Sequence, residues 1–213
     1  MKYDLIIFDC DGTLTDTGAT HVAWCNWINE SQGFNLPKVN TEDKIAVRTV
    51  LGNPMETVIR KYGFPESDVD RLVKEYQSSF SSDFRFSSAT FPGIYPLLAK
   101  IATKRVPTGI VTSNVMSNVI RDLGRAADEV VEIYDKDYLD RKGWKKADGI
   151  RCMKGYFGSL SPVYVGDTMK DFEAASLARV PFLGVSWGWE LNGSQKGIVC
   201  CNTMAELEDK LLG

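Results

Sequence analysis

Two aspartates one residue apart, Asp9 and Asp11, close the apolar run Leu5 to Phe8 in the stretch LIIFDCDGTLTDT. A second pair, Asp167 and Asp171, ends the stretch VYVGDTMKD. Acids are poor strand formers and are costly to bury unpaired. One acid after a strand is explained by helix capping; acid pairs at two strand ends exceed what capping requires. A third strand-like run, TGIVTSN, ends in Thr112, Ser113 and Asn114. Ligands of an open parallel sheet bind outside the carboxyl ends of its strands. Polar groups far apart in the chain are therefore expected to converge on one sheet edge.

Charge decides the chemistry. Three or four carboxylates cannot share a small volume while ionised. A hard divalent cation resolves the repulsion, and an oxygen-only donor set favours Mg²⁺. Asp9, Asp167 and Asp171 carry three negative charges, and a phosphate dianion would bring two more. Mg²⁺ and one lysine offset three of the five. Backbone N–H groups near Gly12, Ser113 and Asn114 and at the next helix start can absorb the remainder. So acidic a site accepts an anion only with its metal bound.

The composition excludes several other classes. Over 213 residues, 44% hydrophobic and 25% charged residues are those of a globular chain, and the net charge of −3 comes with no dense basic block. Nucleic acid is not an expected partner. His21 is the single histidine, which removes multi-histidine metal sites; alone it reads as a packing or surface residue. Five cysteines at irregular spacing form neither a disulfide framework nor a zinc pattern. No apolar run is long enough for a signal segment or a membrane span, so the expectation is a reducing compartment, the cytoplasm.

Strand-like runs at Leu5–Phe8, 108–114, 162–168 and 181–187, with a weaker one at 129–134, alternate with helical patterns. That rhythm predicts an α/β fold: a doubly wound, mainly parallel Rossmann-like sheet. Residues 15–89 break it, with helical periodicity and no convincing strand. The expected organisation is a core of residues 1–14 and 90–213 with an all-helical insertion at 15–89, returning through SSFSSDFRFSSATFPG as a linker. Thr203 before Glu206 fits a capping box opening the last helix.

At these residues the sequence resembles the haloacid dehalogenase-like superfamily, most closely its phosphoglycolate phosphatase-like branch with a helical cap. FDCDGTLTDT resembles the first family motif, IVTSN the second and VGDTMKD the fourth. The resemblance implies a phosphatase acting on a small phosphorylated metabolite, with Asp9 as nucleophile and Asp11 as general acid and base. It implies Mg²⁺ held by Asp9, the Asp11 carbonyl and Asp167, with Asp171 bound directly or supporting them. Thr112, Ser113 and Asn114 would bind the phosphoryl oxygens. The third motif, a lysine opening a helix, best matches Lys145 in DRKGWKKADGI, with Lys142 and Lys146 as alternatives. VRTVLGNPMETV resembles a cap stretch facing the active site, which implies that Arg48 contacts a second anionic group and that the Gly52-Asn53-Pro54 turn offers N–H groups. Trp187, Gly188 and Trp189 either line the cleft or pack in the core. A dehalogenase or phosphonate hydrolase would lack the acid at Asp11. A sugar phosphomutase keeps both aspartates and stays open, as does a non-enzymatic phosphoacceptor domain, which is usually shorter.

Overall fold

The computed structural model describes residues 2–52, 54–80 and 86–213, with the Phe80 side chain outside that description. Contacts divide the chain into two units, Met1–Thr15 with Ala89–Gly213, and Asp16–Ser88. Thr15 and Ala89, expected in the insertion, thus belong to the first unit. The reason is local: Thr15 carbonyl accepts Gly12 N–H at 2.8 Å, and Thr15 forms an antiparallel bridge with Thr90.

The strands are β1 (Leu5–Phe8), β2 (Thr108–Val111), β3 (Glu132–Tyr134), β4 (Pro162–Gly166), β5 (Phe182–Val185) and β6 (Cys200–Cys201). The insertion supplies α1 (Thr17–Ser31), α2 (Lys44–Val50), α3 (Met55–Tyr62) and α4 (Val69–Phe80). The first unit supplies α5 (Ile94–Thr103), α6 (Met116–Leu123), α7 (Lys136–Lys142), α8 (Lys146–Tyr156), α9 (Met169–Ala178) and α10 (Met204–Leu212). No described helix is long and apolar enough to cross a membrane.

In the first unit the six strands lie in the order β3-β2-β1-β4-β5-β6, every pair parallel. The order reverses at β1, which pairs with β2 on one side and β4 on the other. That is the topological switch point, where such sheets open a crevice. All four side chains of β1 are fully buried, each contributing about 1.5–3 kcal/mol from burial. They alternate as a pleated strand must. Ile6 and Phe8 pack with Ile94, Leu98 and Val119 from α5 and α6, whereas Leu5 and Ile7 pack with Ile150 and Ala175 from α8 and α9. Helices cover both faces, so the sheet is doubly wound.

The second unit has a core of its own, in which Trp24 and Ile28 of α1 meet Ile59 of α3 and Leu72 of α4. Two asparagines of α1 hold the following loop as a strand partner would. Asn29 exchanges bonds of 2.8 and 2.9 Å with the Leu36 backbone, and Asn26 does the same with Val39 at 2.8 and 3.1 Å.

Several expectations shift. The strand expected from Glu129 starts at Glu132, because Gly124–Glu129 coils into a 3-10 turn. Helix α7 and strand β6 were not anticipated. Thr203 accepts Glu206 N–H at 3.2 Å, but Glu206 takes Asn202 N–H instead of closing the capping box. Asn53 and residues 81–85 of the expected linker lie outside the described residues.

Candidate active site

The turn after β1 is fixed by one carbonyl. Cys10 O accepts the N–H groups of Thr13, Leu14 and Thr15 at 2.8–3.2 Å. Gly12, at φ +77°, lies in the left-handed region that glycine adopts most easily. A Cβ at Gly12 or at Gly188 would overlap Asp167 Oδ2, so two glycines leave room for that carboxylate.

Asp9, Asp167 and Asp171 meet here. All three are buried, and one oxygen from each lies within 4.8 Å of the others. Asp167 Oδ1 accepts the Thr13 hydroxyl at 2.9 Å, and its Oδ2 accepts Trp189 N–H at 2.6 Å. Trp187 Nε1 donates to Thr13 carbonyl at 3.1 Å, tying the loop after β5 to the turn after β1. The tryptophan loop therefore holds the acidic site through its backbone as well as packing against the core.

Asp171 also caps α9. Its Oδ2 accepts Thr168 N–H at 3.1 Å while Thr168 Oγ1 accepts Asp171 N–H at 3.2 Å. Capping is thus true of Asp171 but does not exhaust it, since its Oδ1 receives Lys146 Nζ at 2.7 Å.

The lysine at the site is Lys146, not Lys145. Lys146 Nζ also donates to Asp9 Oδ1 at 2.9 Å, and its side chain is 18% exposed. Lys145 is the extended N-cap residue of α8, exposed, with its N–H donating to Asp148. Helical phase explains the correction. Lys146, Ile150 and Met153 follow the i, i+4, i+7 stripe that α8 turns inward. Lys142 instead lies over the rings of Tyr138 and Trp144 at 5.9 and 6.0 Å.

Tyr164, buried in β4, was not anticipated. Its hydroxyl reaches Val111 carbonyl at 3.2 Å and Asp171 Oδ1 at 3.4 Å, backing the lysine's carboxylate partner. At the end of β2, Thr112 is fully buried and accepts Asn114 N–H at 3.1 Å, while Ser113 is exposed. Asn114 Nδ2 donates to Asp11 Oδ1 at 3.0 Å. Arg48 lies half-buried in the last turn of α2, in the second unit.

The electrostatics are those of an unbalanced anionic cluster. Burial, then the facing Asp171 charge, pushes Asp9 up to about 7 despite Lys146. Burial and the charges of Asp171 and Asp9 push Asp167 well above the carboxylate range. Burial alone would lower Lys146, but Asp171 and Asp9 outweigh it and hold it protonated. Crowded, desolvated carboxylates with no nitrogen or sulfur ligand among them fit a hard divalent cation such as Mg²⁺.

A doubly wound parallel sheet with buried aspartates at its switch point defines a Rossmann-like α/β protein with an acidic site. Residues 6–185 match the haloacid dehalogenase-like hydrolase model, and the chain belongs to that family. It is 27% identical over 209 residues to a phosphoglycolate phosphatase from Synechococcus elongatus, covering 92% of this chain and 89% of that protein. It is 25% identical over 194 residues to an N-acetylmuramic acid 6-phosphate phosphatase from Pseudomonas putida, covering 89% and 85% of the two chains. The fold superposes on a haloacid dehalogenase-like hydrolase family protein from Streptococcus pneumoniae with a TM-score of 0.72, 21% identity, and 99% and 98% coverage.

Proposed function

We propose that the protein is a Mg²⁺-dependent phosphatase that hydrolyses a small phosphate monoester through an aspartyl phosphate on Asp9. The observation that carries this reading is Lys146 Nζ within hydrogen-bond distance of both Asp9 and Asp171, beside buried Asp167. A cation and a metal-binding acid set beside one strand-end carboxylate suit attack on an anionic phosphoryl group.

In this reading Asp9 attacks phosphorus, and the P–O bond to the leaving group breaks. Asp11 gives that oxygen its proton, then takes one from the water that hydrolyses the phosphorylated Asp9. Such acid–base help is worth about 10²–10⁴-fold. Lys146, the Thr112 hydroxyl and the N–H groups at Ser113 and Asn114 hold the phosphoryl oxygens. Asp9, the Asp11 carbonyl and Asp167 would hold Mg²⁺, supported by Asp171; when bound, the ion offsets charge on the phosphoryl group. The helical unit serves as a cap that excludes water, and Arg48 binds a second anionic group of the substrate. The substrate is a phosphorylated metabolite: the two named relatives act on different phosphate esters at similar identity to this chain. The free thiols of Cys10, Cys25, Cys152, Cys200 and Cys201 suit the cytoplasm.

The test is release of inorganic phosphate from a panel of phosphorylated metabolites with Mg²⁺, using wild type and Asp9→Asn. Phosphate release by wild type and none by the folded variant is expected. Comparable rates from both would reject the covalent role of Asp9, and transfer back to substrate without phosphate release would identify a mutase.

A further inference from the structure

Asn118 lies on α6, outside every group assigned above, yet it is 7% exposed and its amide reaches toward the site. Its Nδ2 donates to Asn114 Oδ1 at 3.0 Å. The same Oδ1 accepts Val115 N–H at 2.8 Å. Two donors on Oδ1 leave Asn114 Nδ2 facing Asp11, the 3.0 Å bond described above. At the other end, Asn118 Oδ1 is buried and finds no hydrogen-bond partner among the described residues. A buried carbonyl without a partner costs stability that an apolar side chain of similar size would not. The amide is therefore held against a stability cost, and the bond its nitrogen makes is the feature that offsets it.

We propose that Asn118 is a positioning residue for Asp11: by donating to Asn114, it sets which end of that amide faces the carboxylate. The inference rests on the phosphatase reading, in which Asp11 is the acid. As the P–O bond breaks, the Asp11 O–H bond breaks and the leaving oxygen takes the proton. The carboxylate left behind then receives Asn114 N–H. Turned over, Asn114 would present a carbonyl to that carboxylate and oppose the transfer. Val115 N–H alone holds the orientation less firmly than two donors do.

A purely structural role, steadying the turn between β2 and α6, makes the opposite forecast for stability and activity taken together. Replacing Asn118 by leucine removes the unpaired carbonyl together with the bond to Asn114 while keeping the bulk, so the fold holds as acid catalysis suffers. The discriminating measurement uses two substrates of nearly equal shape, phenyl phosphate and 4-nitrophenyl phosphate, with Mg²⁺. The nitro group makes the departing phenol more acidic, so it leaves with little help from an acid. Asn118→Leu should melt no lower than wild type, lose about tenfold in kcat/KM on phenyl phosphate and about twofold on the nitrophenyl ester. Asn118→Asp keeps the shape but replaces the donor by an acceptor, and it should show the same selectivity if the leucine variant does not fold. Asp11→Ala is the reference for that pattern. If Asp11→Ala is selective and both Asn118 variants lose equally on the two esters, or lose nothing, the positioning role is wrong and the phosphatase reading stands. If Asp11→Ala shows no selectivity, the acid role of Asp11 falls and this inference with it.

Discussion

Lys146 Nζ lies 2.9 Å from Asp9 Oδ1, a contact between residues 137 positions apart, and it is made from the first turn of α8. The same ammonium reaches Asp171 on α9. One side chain thus ties together the ends of β1, α8 and α9 and sets a positive charge beside the proposed nucleophile. The adjacent Lys145, identical in chemistry, is the extended N-cap residue just before the helix and faces solvent.

Exchanging the two lysines one at a time tests this placement. Lys146→Met removes the cation expected to stabilise charge on the transferring group, and one such donor is worth about 10²–10³-fold. Loss on that scale in kcat/KM for 4-nitrophenyl phosphate is expected. Lys145→Met changes an exposed N-cap side chain and should stay within about twofold, as surface substitutions usually do. A larger loss from Lys145→Met than from Lys146→Met would show that the wrong lysine has been placed in the site.

The acid cluster should make apo stability and activity move in opposite directions. Asp167 is fully buried beside Asp9 and Asp171, and its raised pKa says that its charge is unwelcome there without a cation. Asp167→Asn is nearly isosteric. The new amide can accept Trp189 N–H and donate to Thr13, whose hydroxyl turns to accept. The metal-free variant should therefore melt at or above the temperature of metal-free wild type while losing turnover. For wild type, Mg²⁺ at ten times its dissociation constant should add about 1.4 kcal/mol, and the variant should gain far less. A thermal-shift titration with and without EDTA decides it; equal Mg²⁺ shifts in both proteins would remove Asp167 from the metal site.

How much of this was legible in the sequence depends on how local each feature is. Asp9, Asp167 and Asp171 were readable because a carboxylate pair after an apolar run contradicts strand propensity, and the switch-point rule says where strand ends meet. Lys146 was not, because KK offers two identical neighbours. Only the inward stripe through Ile150 and Met153 separates them, and that stripe was there to be counted. Helix α7 also left a signal, with Asp135 accepting Tyr138 N–H at 3.0 Å and Gly143 closing it at φ +66°. Seven residues, however, hold too few turns for a clear periodicity. Strand β6, at two residues, is shorter than any pattern can reveal. Tyr164 looked like one more apolar strand residue, and its hydroxyl acquires meaning only once α8 and α9 bring Lys146 and Asp171 to it.

His21 predicts a pH dependence of stability unconnected with the acids. Burial lowers this half-buried histidine to about 4, and its Nε2 lies 3.0 Å from the Tyr76 hydroxyl within the helical unit. The unfolded chain titrates near its ordinary value of 6.5. Between those two values the unfolded state binds the proton and the folded state does not. Stability contributed by neutral His21 is therefore complete above pH 6.5 and is lost as pH falls toward 4. The slope from one such group is at most about 1.4 kcal/mol per pH unit. Denaturant unfolding of wild type and His21→Gln across that range should converge on acidification, the variant losing less; parallel curves would mean that His21 is already charged in the fold.

Arg48 is the residue through which substrate choice can be tested without touching the chemistry. Asp43 caps α2 by accepting Ile45 and Ala46 N–H at 2.9 and 3.1 Å, and Val47 and Val50 form its buried side. Removing the Arg48 side chain therefore leaves both the cap and the packed face of the helix in place. If the guanidinium binds a second anionic group, its loss is felt by substrates that carry one and not by those that lack it. Arg48→Ala should raise KM about tenfold for a phosphorylated carboxylic acid such as phosphoglycolate, the scale of one charge-assisted hydrogen bond. For 4-nitrophenyl phosphate, which has no second anion, KM should stay within about twofold. Because kcat depends on Asp9, Asp11 and Lys146 in this reading, it should change little with either substrate. An equal rise in KM for both would assign Arg48 to the folding of the helical unit and remove it from substrate binding.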